Sequence, residues 1–314
     1  MAKKIILDVD PGVDDVLSLC LALFDPNLEI LGITSCGGHV SASLALKMIQ
    51  GILDYLDPPR LPRLGMGTDL LEKYLPQQRA FGTNTDLSDL GQNITGLCTV
   101  HPAEKIISDL VHSYPHEVTI LTCGPLTNIA RTFARESDLS TLVHRLIITG
   151  GTITEPGNAS PMAEFNIYRD PVAARQVFRC RAAKTLVPLD VTNRVTFNYD
   201  LLAHLPPETT KIGEFLRRII PQTLYSYRQH LGMERMYAQD TVSLLTLLCP
   251  DLFQCKMMYG EVECTGELTR GVTVFDRRHN VSVNTNLDVV TEVDASEAKL
   301  FIQERLQRCG HPSL

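Results

Sequence analysis

The sequence predicts an α/β fold with an open, mostly parallel central sheet flanked by helices. Short, nearly all-apolar runs alternate with amphipathic stretches, and several of those runs end in small, acidic or turn-forming residues. A strand that is apolar at almost every position has both faces covered, as in a parallel sheet held between two layers of helices. Ile5 to Val9 is the first such run, and Asp14 to Phe24 is the amphipathic stretch behind it. Leu28 to Thr34 and Ser41 to Leu56 repeat the pair. Strand, helix and strand in that order read as right-handed crossovers. The alternation continues with Ala103 to Val111 as helix, Val118 to Thr122 as strand, Leu126 to Ala134 as helix and Arg145 to Thr149 as strand. Lys211 to Gln229 and Thr241 to Leu248 then read as helices. Tyr259 to Thr265, Gly271 to Asp276 and Leu287 to Val293 read as strands, and Ala295 to Arg308 as a closing helix. Thr68 to Cys98 is polar and turn-rich, and is expected to form a long excursion of the kind that commonly carries function. No low-complexity linker and no fixed-period repeat divides the chain, so residues 1–314 read as one domain.

Composition narrows the function classes. The 314 residues carry 29 Lys and Arg against 36 Asp and Glu, a net charge of −7, with 44% hydrophobic and 21% charged residues. That is a globular composition with no basic field to neutralise nucleic acid or an anionic lipid surface. The nine cysteines show no paired C-x-x-C spacing and read as reduced thiols. Met1 to Asp10 lacks the apolar core of a signal peptide, and no run reaches the roughly 20 apolar residues of a membrane span. A cytoplasmic protein is therefore expected, and the sequons at Asn93, Asn158 and Asn280 are expected to be chance matches.

The chemistry concentrates in Asp8-Val9-Asp10-Pro11-Gly12-Val13-Asp14-Asp15, where the first strand meets the first helix. Asp8 and Asp10 are two apart on a strand and share a face, while Pro11-Gly12 turns the chain and puts Asp14 and Asp15 in the first helical turn. A helix dipole favours acids there by only about 0.3–1 kcal/mol each. Four converging carboxylates repel one another unless a cation sits between them, and hard oxygen donors select Ca²⁺ or Mg²⁺ over Zn²⁺. Two other D-x-D patterns fit less well. The phosphatase type of haloacid dehalogenases wants a late Gly-Asp pair, which is absent. An EF-hand loop wants Gly sixth from its first Asp and helices on both sides, whereas Gly12 is fifth from Asp8 and follows a strand.

These residues resemble the opening motif of the nucleoside hydrolases, the inosine-uridine-preferring N-ribohydrolases. Further segments match in the same order: Gly124-Pro125-Leu126-Thr127-Asn128, Gly150-Gly151, Asn158, Ala163-Glu164-Phe165-Asn166, Asp170-Pro171 with Ala173-Ala174, and Asp240 ahead of a helix. The resemblance implies a Rossmann-like core and hydrolysis of ribonucleosides to ribose and free base by a metal-activated water. It implies Ca²⁺ held by Asp10, Asp15, Asp240 and the backbone carbonyl of Cys123. It makes Asp10 the base that takes a proton from the water, and Asp14 the acceptor of a hydrogen bond from the ribose 2'-hydroxyl. Asn158, Glu164 and Asn166 resemble the ribose-binding residues, and a homodimer or homotetramer is the expected assembly. The chemistry asks for such groups independently, because an oxocarbenium-like transition state needs anionic groups near the sugar and a positioned water. Turn formation is the other reading of Asn158, which stands in Pro156-Gly157-Asn158.

The sequence departs from the family where substrate is expected. Gln239 stands where a histidine commonly precedes the late calcium aspartate, and glutamine cannot deliver a proton to the leaving base. Gly38-His39-Val40 stands where the family commonly has Gly-Asn-Val, so His39 is read either as a replacement acid or as a structural residue. Tyr225, Tyr227 and Tyr237 either cover the base or pack the helix. A nucleoside- or ribose-binding protein with lost activity, or a hydrolase of another ribosyl compound, is the alternative that Gln239 keeps open.

Overall fold

The computed structural model describes residues 2–69, 100–278 and 284–309, and of residues 13 and 14 the backbone alone. Most of the expected excursion from Thr68 to Cys98 lies outside the described residues, as do Asn93 and Asn280. Among the described residues, nine strands form one sheet. They are β1 (Lys3–Val9), β2 (Leu28–Ser35), β3 (Arg63–Met66), β4 (His101–Pro102), β5 (Val118–Thr122), β6 (Arg145–Thr149), β7 (Lys184–Val187), β10 (Phe253–Met258) and β13 (Leu287–Val293). Their order is β10-β13-β7-β6-β5-β1-β2-β3-β4, parallel throughout except for the antiparallel pair β10–β13 at one edge. Two small ribbons lie apart: β8 (Thr196–Phe197) with β9 (Met236–Tyr237), and β11 (Gly260–Val262) with β12 (Thr273–Phe275).

β1 sits between β2 and β5, with Asp8 opposite Thr34 on one side and Thr122 on the other. The chain runs outward from β1 to β4 and then returns to β1's other flank as β5. A crevice at the carboxyl ends of β1 and β5 is therefore the topological switch point, where open α/β sheets bind ligands. Alternation along β1 separates two cores. Ile5, Leu7 and Val9 enter one together with α1 (Val13–Phe24), α2 (Ala42–Leu56) and the long helix Lys211–Leu231. Ile6 enters the other with the helices Ala103–Ser113 and Thr127–Arg135. Asp8 shares Ile6's face, and this is why a residue from the helix Thr127–Arg135 can reach it.

The strands expected at Val118 to Thr122, Arg145 to Thr149 and Leu287 to Val293 and the helix at Ala295 to Arg308 occur with those bounds. The strand expected from Tyr259 to Thr265 is confined to Gly260–Val262, which pairs with β12, and Phe253–Met258 joins the main sheet as a strand that was not expected. Phe253–Met258 mixes polar and apolar residues because it is an edge strand with its middle residues exposed. No helix among the described residues is long and apolar enough to cross a membrane.

Candidate active site

The acidic motif folds as its turn chemistry requires. Gly12 precedes α1, and Asp15, third in the helix, reaches back to accept the Gly12 N–H through Oδ2 at 2.8 Å. That satisfies one of the donors a helix start leaves open. Asp8 is fully buried; its Oδ1 accepts from Thr34 Oγ1 and from Asn128 Nδ2 at 2.8 Å, and its Oδ2 has no hydrogen-bond partner. Asp10 is buried as well. Its Oδ2 accepts the His39 N–H at 3.2 Å and lies 2.9 Å from His39 Nδ1.

Two glycines close on Asp10. A Cβ at Gly38 would lie 1.8 Å from Asp10 Oδ2 and 2.8 Å from Asp10 Cβ, and one at Gly124 would lie 2.4 Å from Cys36 Sγ and 2.9 Å from Asp10 Oδ1. Gly38→Ala is therefore expected to push the Asp10 carboxylate aside, costing roughly 1–3 kcal/mol of stability, and to weaken divalent-cation binding. Thermal melts and calorimetric titration check this, and an unchanged melt with unchanged cation affinity would show that the backbone gives way instead.

The fourth carboxylate arrives from far along the chain. Asp240 lies in the first turn of the helix Gln239–Leu248, where the dipole favours an acid. Ligand atoms of Asp15, Asp240 and Cys123, all buried, lie within 4.8 Å of one another. Cys123 follows β5. Its carbonyl accepts Asn166 Nδ2 at 3.2 Å, and the same amide nitrogen donates to Thr149 O at 3.1 Å, so one side chain ties the ends of β5 and β6. Burial and then the facing carboxylates hold the Cys36 and Cys123 thiols well above the usual thiol range.

On the opposite wall, Glu164 caps the helix Phe165–Arg169. Oε1 accepts the Asn166 N–H at 2.9 Å, and Oε2 accepts those of Gly151 at 3.0 Å and Ile167 at 3.1 Å. Gly150 and Gly151, both at positive φ, carry the chain past this carboxylate. Asn158 is exposed, and its Oδ1 accepts the Phe165 N–H at 2.7 Å, the turn role weighed from the sequence. His39 stacks on Phe165 with ring centroids 4.0 Å apart and 17° between planes. Gln239 Nε2 donates to Asn193 Oδ1 at 2.8 Å. Tyr227 and Tyr237 meet edge to face at 6.1 Å, whereas Tyr225 is exposed. The side chain of Asp14 lies outside the described residues.

Burial pushes the carboxyls of Asp8 and Glu164, ordinarily 3.8 and 4.5, up to about 7. A raised folded-state pKa means that the folded chain holds the proton more tightly than the unfolded one. The stabilisation is complete below about pH 4 and is lost as pH rises through about 7. Chelator-treated protein is expected to melt at a lower temperature at about pH 8 than at about pH 5, and added calcium to restore more at the higher pH. Calcium stabilisation equal at both values would show that the cation does not meet these acids.

The structure thus brings Asp10, His39, Asp15, Cys123, Glu164, Asn166 and Asp240 to the carboxyl ends of β1, β2, β5 and β6. Sequence reasoning missed Phe165 as the surface under His39, Cys36 as a second thiol, and Asn193 as the partner of Gln239. It also missed Arg169, which is only 5% exposed, with Nε and Nη1 lacking hydrogen-bond partners. No sequence signal marked it, because its burial follows from the packing of the helix Phe165–Arg169.

A buried carboxylate cluster lies at the switch point of a parallel sheet, where ligands bind in such folds, and three of its residues are close enough to hold a metal ion. Residues 5–299 match the family described as inosine-uridine preferring nucleoside hydrolase. The chain is 32% identical to uridine nucleosidase 1 of Arabidopsis thaliana over 325 residues, covering 95% of this chain and 93% of that protein. It is 30% identical to the non-specific ribonucleoside hydrolase RihC of Escherichia coli O9:H4 over 310 residues, covering 98% and 99%. The purine-preferring ribonucleoside hydrolase from Gardnerella vaginalis superposes with a TM-score of 0.84 at 25% identity, over 98% of this chain and 99% of that one. The chain belongs to the inosine-uridine preferring nucleoside hydrolase family, whose members are N-glycosidases, and it shares their α/β fold.

Proposed function

We propose that this enzyme hydrolyses the N-glycosidic bond of ribonucleosides with the help of one calcium ion, giving ribose and the free base. The observation that carries the reading is the buried meeting of Asp15 and Asp240 with the end of β5, beside Asp10. Asp10, Asp15, Asp240 and the Cys123 carbonyl would hold the ion, and their hard oxygen donors fit calcium. The unpartnered Oδ2 of Asp8 puts a further uncompensated buried oxygen behind them. When bound, calcium offsets the repulsion among the acids and makes a water easier to deprotonate.

Asp10 accepts the proton of the attacking water, and the other buried acids stabilise the positive charge that develops on the sugar. Asp14 receives the 2'-hydroxyl, and Asn158, Glu164 and Asn166 bind the remaining ribose hydroxyls. Gln239, joined to Asn193, lines the base side without donating a catalytic proton. That hydrogen bond also supports the second reading, a ribose-binding protein or a hydrolase of a ribosyl compound whose leaving group needs no acid. The enzyme is assigned to nucleoside salvage in the cytoplasm, as one domain in a homodimer or homotetramer, which light scattering tests at the level of assembly. A panel of purine and pyrimidine nucleosides assayed for ribose release, with and without chelator, tests the function. Release that chelator leaves untouched would overturn the calcium part, and no release from any nucleoside would favour the second reading.

A further inference from the structure

Calcium has little use for sulfur, yet a thiol stands among the donors. Cys123 Sγ lies within 4.8 Å of a carboxylate oxygen of both Asp15 and Asp240. Buried cysteines ordinarily act as small hydrophobes among apolar neighbours. Cys123 instead is 3% exposed and faces two acids, while the second thiol, Cys36, stands behind Gly124 and outside that triad. We propose that the pocket also binds a thiophilic divalent cation, Zn²⁺ or Cd²⁺, through Cys123 Sγ and the carboxylates of Asp15 and Asp240, in competition with calcium and at the expense of activity.

The inference rests on the metal reading above and changes its selectivity. Carboxylates and carbonyls favour hard ions, and one thiolate shifts the preference toward soft ones. Zinc bonds of about 2.3 Å to sulfur and about 2.1 Å to oxygen at tetrahedral angles put donors about 3.6 Å apart. The triad needs to contract by at most about 1.4 Å to close on such an ion. Binding exchanges the S–H bond for a sulfur–metal bond and releases one proton to solvent, with no change of oxidation state. The occupied pocket has then lost the two carboxylates on which calcium depends, so hydrolysis stops until a competing thiol removes the soft ion.

Cadmium added to the folded chain after treatment with a calcium chelator tests this. One equivalent is expected to give a sulfur-to-cadmium charge-transfer absorption, a ¹¹³Cd resonance in the thiolate range, and one proton released per ion bound. Cys123→Ser should abolish the absorption and weaken cadmium binding by more than the roughly 10- to 100-fold that loss of an outer partner costs. Cys36→Ser should keep both. A resonance in the all-oxygen range, or absorption that survives Cys123→Ser, overturns the proposal. The resonance is read on the unaltered protein, so a variant that fails to fold does not remove the test. Calcium-dependent ribose release together with an all-oxygen cadmium signal would sink the thiol site alone. Failure of both ions to bind would sink the calcium reading with it.

Discussion

Asp240→Ala is expected to abolish calcium retention and to lower kcat/KM for ribonucleosides by at least about 10⁴-fold, while the chain still folds. Asp240 is the carboxylate that the helix Gln239–Leu248 brings to the end of β5. Without it the pocket keeps fewer of the oxygen ligands that a hard cation of this size requires. Asp10→Ala should be as damaging for two reasons at once, since Asp10 is read both as a ligand and as the base. Asp10→Asn separates them: it keeps the volume and one oxygen donor, and its loss of roughly 10²- to 10⁴-fold in kcat should persist at saturating calcium. Metal analysis after dialysis and steady-state kinetics check both. Stoichiometric calcium in Asp240→Ala would remove Asp240 from the ligand set.

His39→Ala is expected to lower kcat on natural nucleosides by roughly 10²- to 10⁴-fold and to cost far less on p-nitrophenyl riboside. The phenolate leaves without a proton, so only the nucleosides need an acid. Asp10 engages Nδ1 and Phe165 stacks on the ring, and these contacts would orient the imidazole toward a leaving base. The same contacts supply the competing explanation, in which the imidazole holds Asp10 and the Phe165 ring in place. Equal losses on the two substrates would assign His39 that positioning role. If the unaltered enzyme cleaves p-nitrophenyl riboside but no nucleoside, then no acid has replaced the one missing at Gln239.

The parallel sheet and the acidic turn were legible because both follow from local rules. Runs such as Ile5 to Val9 are buried on both faces and apolar at all but Asp8, and Pro11-Gly12 favours a turn before the helix. Lys184–Val187 escaped notice: four residues opened by a lysine carry too little periodicity to announce a buried strand, although Lys184 is buried with its ammonium on the carbonyls of Cys180 and Ala182. The candidate site was legible where a residue type names its chemistry, as with Asp10, Asp15 and Asp240. The His39–Phe165 stack and the thiol of Cys123 among acids were not. Those depend on which strand ends become neighbours, a property of sheet order rather than of any short segment.

The placement of β1 in the middle of the sheet has a cost during synthesis. Its partner on one side, β2, begins at Leu28, directly after the first helix, but its partner on the other, β5, begins only at Val118. At translation speeds of about 5–20 residues per second, that flank of the nascent strand waits about 5 to 20 s for its neighbour. Throughout that interval an apolar strand offers a bare row of peptide groups to any other chain emerging nearby. Asp8, carried on β1, meets Asn128 only after β5 is made. Asp8 is thus among the last residues of the first strand to complete its contacts, and a ribosome that stalls within the first hundred codons strands the chain at its most adhesive.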